Sequence, residues 1–182
     1  MSLSRWARGG SLERELALYR RLAPRLGGTG FLSYGKASER EYVAGLDGIE
    51  VLYNRWNLPR RLYPILVPLL FARSLSRFDV FKTNQIDGAE LAITAKRVFG
   101  KKLIARCGYM WSANLLDQAD GEETDGWRRA RRKEHRLFNL ADRSIVTTEW
   151  MRRYVVEEYG VAESKVSVIP NYVLTDVFKP EQ

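Results

Sequence analysis

The apolar and polar positions divide this chain into short β-branched runs separated by stretches of helical period. Near the start, Leu12, Leu16, Tyr19, Ala23 and Leu26 recur at i, i+4, i+7, i+11 and i+14. Glu13, Arg14, Arg20, Arg21 and Arg25 fall off that stripe, so the segment predicts an amphipathic helix. Ser2–Trp6 ahead of it reads as a weak first strand, and Gly9-Gly10-Ser11 as the lead into the helix. Gly30–Tyr34 and Gly48–Tyr53 read as the second and third strands, with polar Lys36–Asp47 as a loop or short helix between them. Phe78–Phe81 and Lys101–Arg106 are the next strands. Asp87 is the expected N-cap of the helix between them, with Glu90 at the capping-box position and Gly100 at its end.

The closing stretch repeats the pattern most compactly. Ser144–Thr147 is a short strand, and Thr147 or Thr148 is a suitable N-cap. Trp150, Tyr154, Val155 and Val156 have helical spacing, Gly160 stands at a helix C′ position, and Val166–Ile169 is a second strand stopped by Pro170. Two strands joined by a helix of this length imply a parallel pair with a right-handed crossover. The repeated order predicts an α/β fold: a Rossmann-like, doubly wound, mostly parallel sheet flanked by helices.

Ligands of such sheets bind in loops beyond the carboxyl ends of the strands. That rule selects Arg8–Ser11, Thr83–Asp87 and Arg106–Ser112. In the third loop Arg106 can hold a phosphate or carboxylate, Tyr109 and Trp111 can stack on a sugar face, and Gly108 permits close backbone approach. The glycine pair Gly9-Gly10 ahead of a helix could admit an anion, yet no GxGxxG or Walker pattern accompanies it.

Composition narrows the class. With 182 residues the chain suits one domain, and 45% hydrophobic against 29% charged residues excludes a disordered chain. The lone Cys107 excludes an internal disulfide and suits a reducing, cytoplasmic setting. A net charge of +8 favours an anionic partner: membrane surface, nucleic acid or nucleotide-sugar phosphate. The most apolar run, Leu62–Ala72, carries Pro64 and Pro68 and falls well short of the ~20 residues of a spanning helix. No convincing secretory signal precedes it.

The end of the chain resembles glycosyltransferase family 4, a family of GT-B enzymes. The resemblance rests on Ala141-Asp142 before a strand, a helix ending in Tyr159-Gly160-Val161, Lys165-Val166 leading to Val168-Ile169-Pro170-Asn171, and Phe178 with Pro180. It implies that residues 1–169 form the Rossmann-like N-terminal, acceptor-side domain. Residues 170–182 would then be an interdomain linker, with the C-terminal donor-binding domain of the same enzyme absent from this chain.

The resemblance further implies sugar transfer, with retention, from a nucleotide-sugar donor to a glycan or lipid-linked acceptor in polysaccharide biosynthesis, and no activity in this chain alone. It places Gly9, Gly10 and Ser11 at the donor phosphates, and Asn84, Gln85, Arg106, Gly108, Tyr109 and Trp111 at the acceptor. It implies no metal and no cofactor, the nucleotide sugar being a substrate. Many family members carry a histidine in the Arg106–Ser112 loop; here the sole histidine is His135. Glu149 and Glu157 match the family's E-x7-E spacing by chance, because that motif belongs beyond the Pro-Asn hinge.

Two charge-rich stretches invite other readings. Arg55–Arg77 mixes arginines with Trp56, Leu58, Tyr63, Ile65, Leu66, Leu69 and Phe71, as a kinked core helix or a segment lying on the inner face of an anionic membrane would. The arginines of Trp127–Leu140 wrap around a helix instead of forming a stripe, so they read as a solvated face without a nucleic-acid motif. The alternative to an enzyme is thus a basic α/β module that binds a membrane surface or nucleic acid. A flavodoxin-like regulatory domain would need a flavin loop or first-strand acidic cluster, which the Trp6–Ser11 region lacks.

Overall fold

The computed structural model describes residues 2–43, 46 and 48–172. Most of the expected linker, with Phe178 and Pro180, lies outside them. The chain divides into two compact units, one holding the described residues up to Phe78 together with Tyr172, the other Asp79–Asn171.

The first unit opens with helices α1 (Leu3–Arg8) and α2 (Leu12–Leu22), then β1 (Thr29–Leu32), α3 (Arg40–Val43), β2 (Ile49–Leu52), α4 (Tyr63–Leu70) and α5 (Ala72–Leu75). Strands β1 and β2 pair in parallel, with Thr29 opposite Ile49 and Leu32 opposite Leu52. Leu3, Leu16, Leu46 and Ile49 form the buried cluster, with Trp6, Tyr19 and Phe31 packed on it. Leu16 and Tyr19 are thus core residues, as the stripe predicts, whereas Leu26 is exposed.

The expected first strand at Ser2–Trp6 is instead helix α1. Its N-terminus is satisfied twice over. The Ser2 hydroxyl accepts the Arg5 N–H, and the buried Glu39 carboxylate accepts the N–H groups of Leu3 (2.8 Å) and Ser4 (3.0 Å) and the Ser33 hydroxyl (2.7 Å). Gly35 makes room for that carboxylate, since a Cβ there would lie 2.1 Å from Glu39 Cδ. The stabilising group comes from 36 residues away, which local propensity cannot register. Within Arg55–Arg77, Pro64 occupies the first turn of α4, where no N–H is needed, and Pro68 is accommodated before α4 ends at Leu70.

The second unit contains β3 (Val80–Lys82), α6 (Glu90–Phe99), β4 (Lys102–Arg106), α7 (Trp111–Gln118), α8 (Asp125–Leu140), β5 (Arg143–Val146), α9 (Glu149–Tyr159) and β6 (Val166–Val168). All pairings are parallel, in the order β3-β4-β5-β6. Phe81 stands opposite Leu103, Ile104 opposite Arg143, and Ser144 opposite Val166. Each crossover carries at least one helix, and Leu103, Ala105 and Val146 in the strands are fully buried.

Helix α6 begins at Glu90 with Ala89 as its N-cap, two residues beyond the expected cap Asp87. Gly88 at φ 91 takes the backbone out of helical phase between Asp87 and the helix. Helix α9 follows expectation, with the Thr148 hydroxyl accepting the Met151 N–H and Gly160 ending it at φ 65. Its buried stripe is Met151, Val155 and Tyr159, while Trp150 remains outside. The arginines of α8 lie mostly on the exposed face, opposite buried Trp127, Ala130, Glu134, Leu137 and Phe138. Surface pairs such as Arg128–Asp125 contribute ~0.5 kcal/mol at best, so packing along this stripe decides the stability of α8.

Asp142, at the entry to β5, ties α6 to the sheet. It pairs with Lys96 and Lys102 and accepts the Leu103 N–H at 2.8 Å. The Lys96 hydrogen bond first, then the Leu103 N–H, hold its carboxyl well below the usual carboxylate range. A depressed folded-state pKa contributes stability that is present above the unfolded value of about 4 and is lost as pH falls below it. D142N should therefore lower stability at neutral pH and flatten its decline below pH ~4 in urea titrations. An unchanged acid slope would show that Asp142 does not set it.

Candidate functional site

The carboxyl ends of β3 and β4 are joined through Thr83 and Arg106. The buried Thr83 hydroxyl donates to the Arg106 carbonyl (3.2 Å) and accepts the Arg106 N–H (3.0 Å). The Arg106 guanidinium then donates to the Asn84 carbonyl (3.3 Å) and to Asn171 Oδ1 (2.7 Å) just beyond β6. Both acceptors are neutral, and among the described residues no carboxylate pairs with this arginine. Its charge is held in place without being cancelled.

Gln85 and Gly108 meet over the same edge. The Gly108 N–H donates to Gln85 Oε1 at 3.4 Å, and a Cβ on Gly108 would lie 3.2 Å from Gln85 Nε2. The Thr147 hydroxyl at the end of β5 donates to the Gly108 carbonyl at 3.2 Å. Lys82 Nζ reaches Asn84 Oδ1 at 2.9 Å and adds a second cation. Four of the expected acceptor residues, Asn84, Gln85, Arg106 and Gly108, are thereby assembled at one sheet edge. Tyr109 follows and is 48% exposed, while Trp111 opens α7 under Lys133, whose Nζ is 5.7 Å from the indole centroid.

Cys107 at the base of this loop is fully buried and donates to the Tyr109 carbonyl at 2.6 Å. Burial pushes its thiol up to about 12, so it is a packing residue and not a nucleophile.

What holds the loop is Glu134 of α8. Its completely buried carboxylate accepts the N–H groups of Trp111 (2.6 Å) and Ser112 (3.1 Å), the Ser112 hydroxyl, and the Tyr159 hydroxyl (2.6 Å). It thus caps α7 from a distant helix and ties it to α9. Burial first, and then Glu134, push the Tyr159 hydroxyl far above its ordinary pKa, so it remains a donor. Sequence reasoning missed Glu134, although an acidic residue on the Trp127, Ala130, Leu137, Phe138 stripe is a readable signal. His135 beside it points outward, edge-on to Tyr159 at 5.9 Å.

Gly9, Gly10 and Ser11 belong to the other unit and connect two helices instead of following a strand. Their N–H groups are bonded to the carbonyls of Arg5, Ala7 and Trp6. Glu149 opens α9 and pairs with Arg152, and Glu157 lies exposed on the same helix. Among the described residues no group of three His, Cys, Asp or Glu is placed to hold a metal, and no helix is long and apolar enough to cross a membrane.

The parallel α/β architecture agrees with what comparison with known proteins finds. The model of Glycosyltransferase Family 4 matches residues 30–177, and the chain belongs to that family. It is 29% identical over 126 residues to a D-inositol 3-phosphate glycosyltransferase of Nocardiopsis dassonvillei, a match covering 68% of this chain and 29% of that protein. In fold it is similar to Anabaena Alr3699/HepE, solved in complex with UDP and glucose. The TM-score is 0.58 and the identity 14%, over 89% of this chain and 42% of that one. The chain therefore spans well under half the length of either relative.

The capping role of Glu134 makes a direct prediction. E134A leaves two backbone N–H groups and two hydroxyls without their acceptor, and should cost on the order of 3 kcal/mol in urea unfolding, with E134Q recovering part of it. A loss below ~1 kcal/mol would mean that the loop does not depend on this carboxylate.

Proposed function

We propose that this chain is the acceptor-side part of a retaining glycosyltransferase that moves a sugar from a nucleotide-sugar donor to a glycan or lipid-linked acceptor. The observation carrying the reading is Arg106, held between Asn84 and Asn171 with its charge uncancelled, beside exposed Tyr109 at the carboxyl edge of a parallel sheet. A guanidinium so placed suits an anionic group on the acceptor, and an exposed aromatic ring suits a sugar or polyol face. The relative named for inositol 3-phosphate supports an acceptor of that chemistry, and the UDP complex supports a uridine nucleotide donor.

The transition state of such a transfer is oxocarbenium-like, and the departing diphosphate needs positive charge or helix N-termini. Transfer itself is assigned to the whole enzyme, since the matches cover 29% and 42% of the relatives. The share of this chain is to bind and orient the acceptor, and alone it is expected not to turn over. Any donor contact near Gly9-Gly10-Ser11 would fall to the first amides of α2, because those three amides are already bonded.

In full-length enzyme, R106A and Y109A should raise the acceptor KM or lower kcat while leaving the donor KM unchanged. For R106A the loss in kcat/KM should be about ten- to a hundredfold, the worth of one hydrogen bond to a charged group. Wild-type kinetics in both variants would remove the acceptor site from this edge.

A further inference from the structure

Helix α4 is apolar on all sides but only half covered. Tyr63, Pro64, Val67 and Pro68 face inward and are buried. Leu62 just before the helix, and Ile65 and Leu69 within it, are 50%, 68% and 77% exposed. Their spacing of three and four places them on one side, along a rod about 12 Å long. Leaving such side chains in water forgoes their burial, and a helix apolar all round is ordinarily covered by something.

The charge around that strip identifies the cover. From Glu50 to Phe78 the chain carries Arg55, Arg60, Arg61, Arg73 and Arg77 against the single acid Glu50. Five arginines less one glutamate leave +4 here, against a net +8 for all 182 residues. Arg55 stacks over Trp56 with its guanidinium carbon 4.4 Å from the ring centroid, and Trp56 is itself 39% exposed. Arg77 is engaged by Glu50 at 3.0 Å, while Arg61 and Arg73 are exposed. A protein partner would ordinarily be matched by charges of both signs. A net positive charge in the segments flanking exposed leucine and isoleucine, with a tryptophan among them, is the pattern of a segment lying in the headgroup layer of an anionic bilayer.

We propose that α4, with Trp56 and the arginines flanking it, docks this protein on an anionic lipid surface, inserting Leu62, Ile65 and Leu69 to the depth of the headgroups. This surface does not depend on the acceptor reading. Docking is measured as binding without transfer, so either can fail while the other stands.

The test is flotation with vesicles of phosphatidylcholine alone and of phosphatidylcholine mixed with phosphatidylglycerol, using wild type, I65D/L69D and R61Q/R73Q. Both pairs of side chains are exposed, so the variants should keep the wild-type circular dichroism and melting temperature. Wild type should float with the mixed vesicles, detach as salt is raised, and stay behind with phosphatidylcholine. I65D/L69D should abolish flotation, and R61Q/R73Q should weaken it roughly thirtyfold, at about a factor of five per arginine. Equal binding to both vesicle types, or undiminished binding by I65D/L69D, would overturn the proposal. So would a wild-type dimer that I65D/L69D dissociates without any vesicle binding, since a second copy would then be the cover. Salt-sensitive binding of an oligonucleotide in place of vesicles would overturn it as well.

Discussion

A carboxylate with no solvent around it must be met by donors, and Glu134 is met by four. That requirement fixes the second unit. Because the donors come from the start of α7 and the end of α9, the carboxylate sets where the Arg106–Ser112 loop leaves the sheet. Arg106 and Tyr109 at the carboxyl edge take their positions from it and from the Thr83 pairing. Glu39 solves the same problem in the first unit, where it seats the start of α1. Both units thus use a buried acid from a distant segment at the start of a helix, beside the Ser2 cap in α1 and in place of a side-chain cap in α7.

These buried acids explain where the sequence was legible and where it was not. The parallel strands showed through because their β-branched runs and glycine helix ends are local signals, and Gly160 and Thr148 act as their residue types suggest. Ser2–Trp6 misled because its helix depends on Glu39, 36 residues on from Leu3. Asp87 misled because Gly88 interrupts the backbone before the helix starts. Long-range satisfaction of buried polar groups leaves little trace in periodicity. The one visible trace was an acid standing in the apolar stripe of α8.

The candidate site was legible to the extent that topology dictates it. The rule that ligands gather beyond the carboxyl ends of parallel strands selects the loops after β3 and β4, and the structure joins them through Arg106, Asn84, Gln85 and Gly108. The part played by Asn171 lay hidden, because a residue beyond β6 reaches Arg106 only once the sheet order is known. The glycine loop at Gly9-Gly10 was selected by the same rule on the assumption of a preceding strand, and that strand is a helix. Family membership accounts for the fold, and the half-covered α4 lies within the stretch that the family model matches.

The central claim is that the acceptor lies on the carboxyl edge around Arg106. Hydrogen–deuterium exchange of the full-length enzyme, with and without the acceptor it glycosylates, tests this most directly. The account predicts slowed exchange in Thr83–Gln85 and Arg106–Ser112, and loss of that protection in R106A. Protection confined to other segments, with these two unchanged, would contradict it.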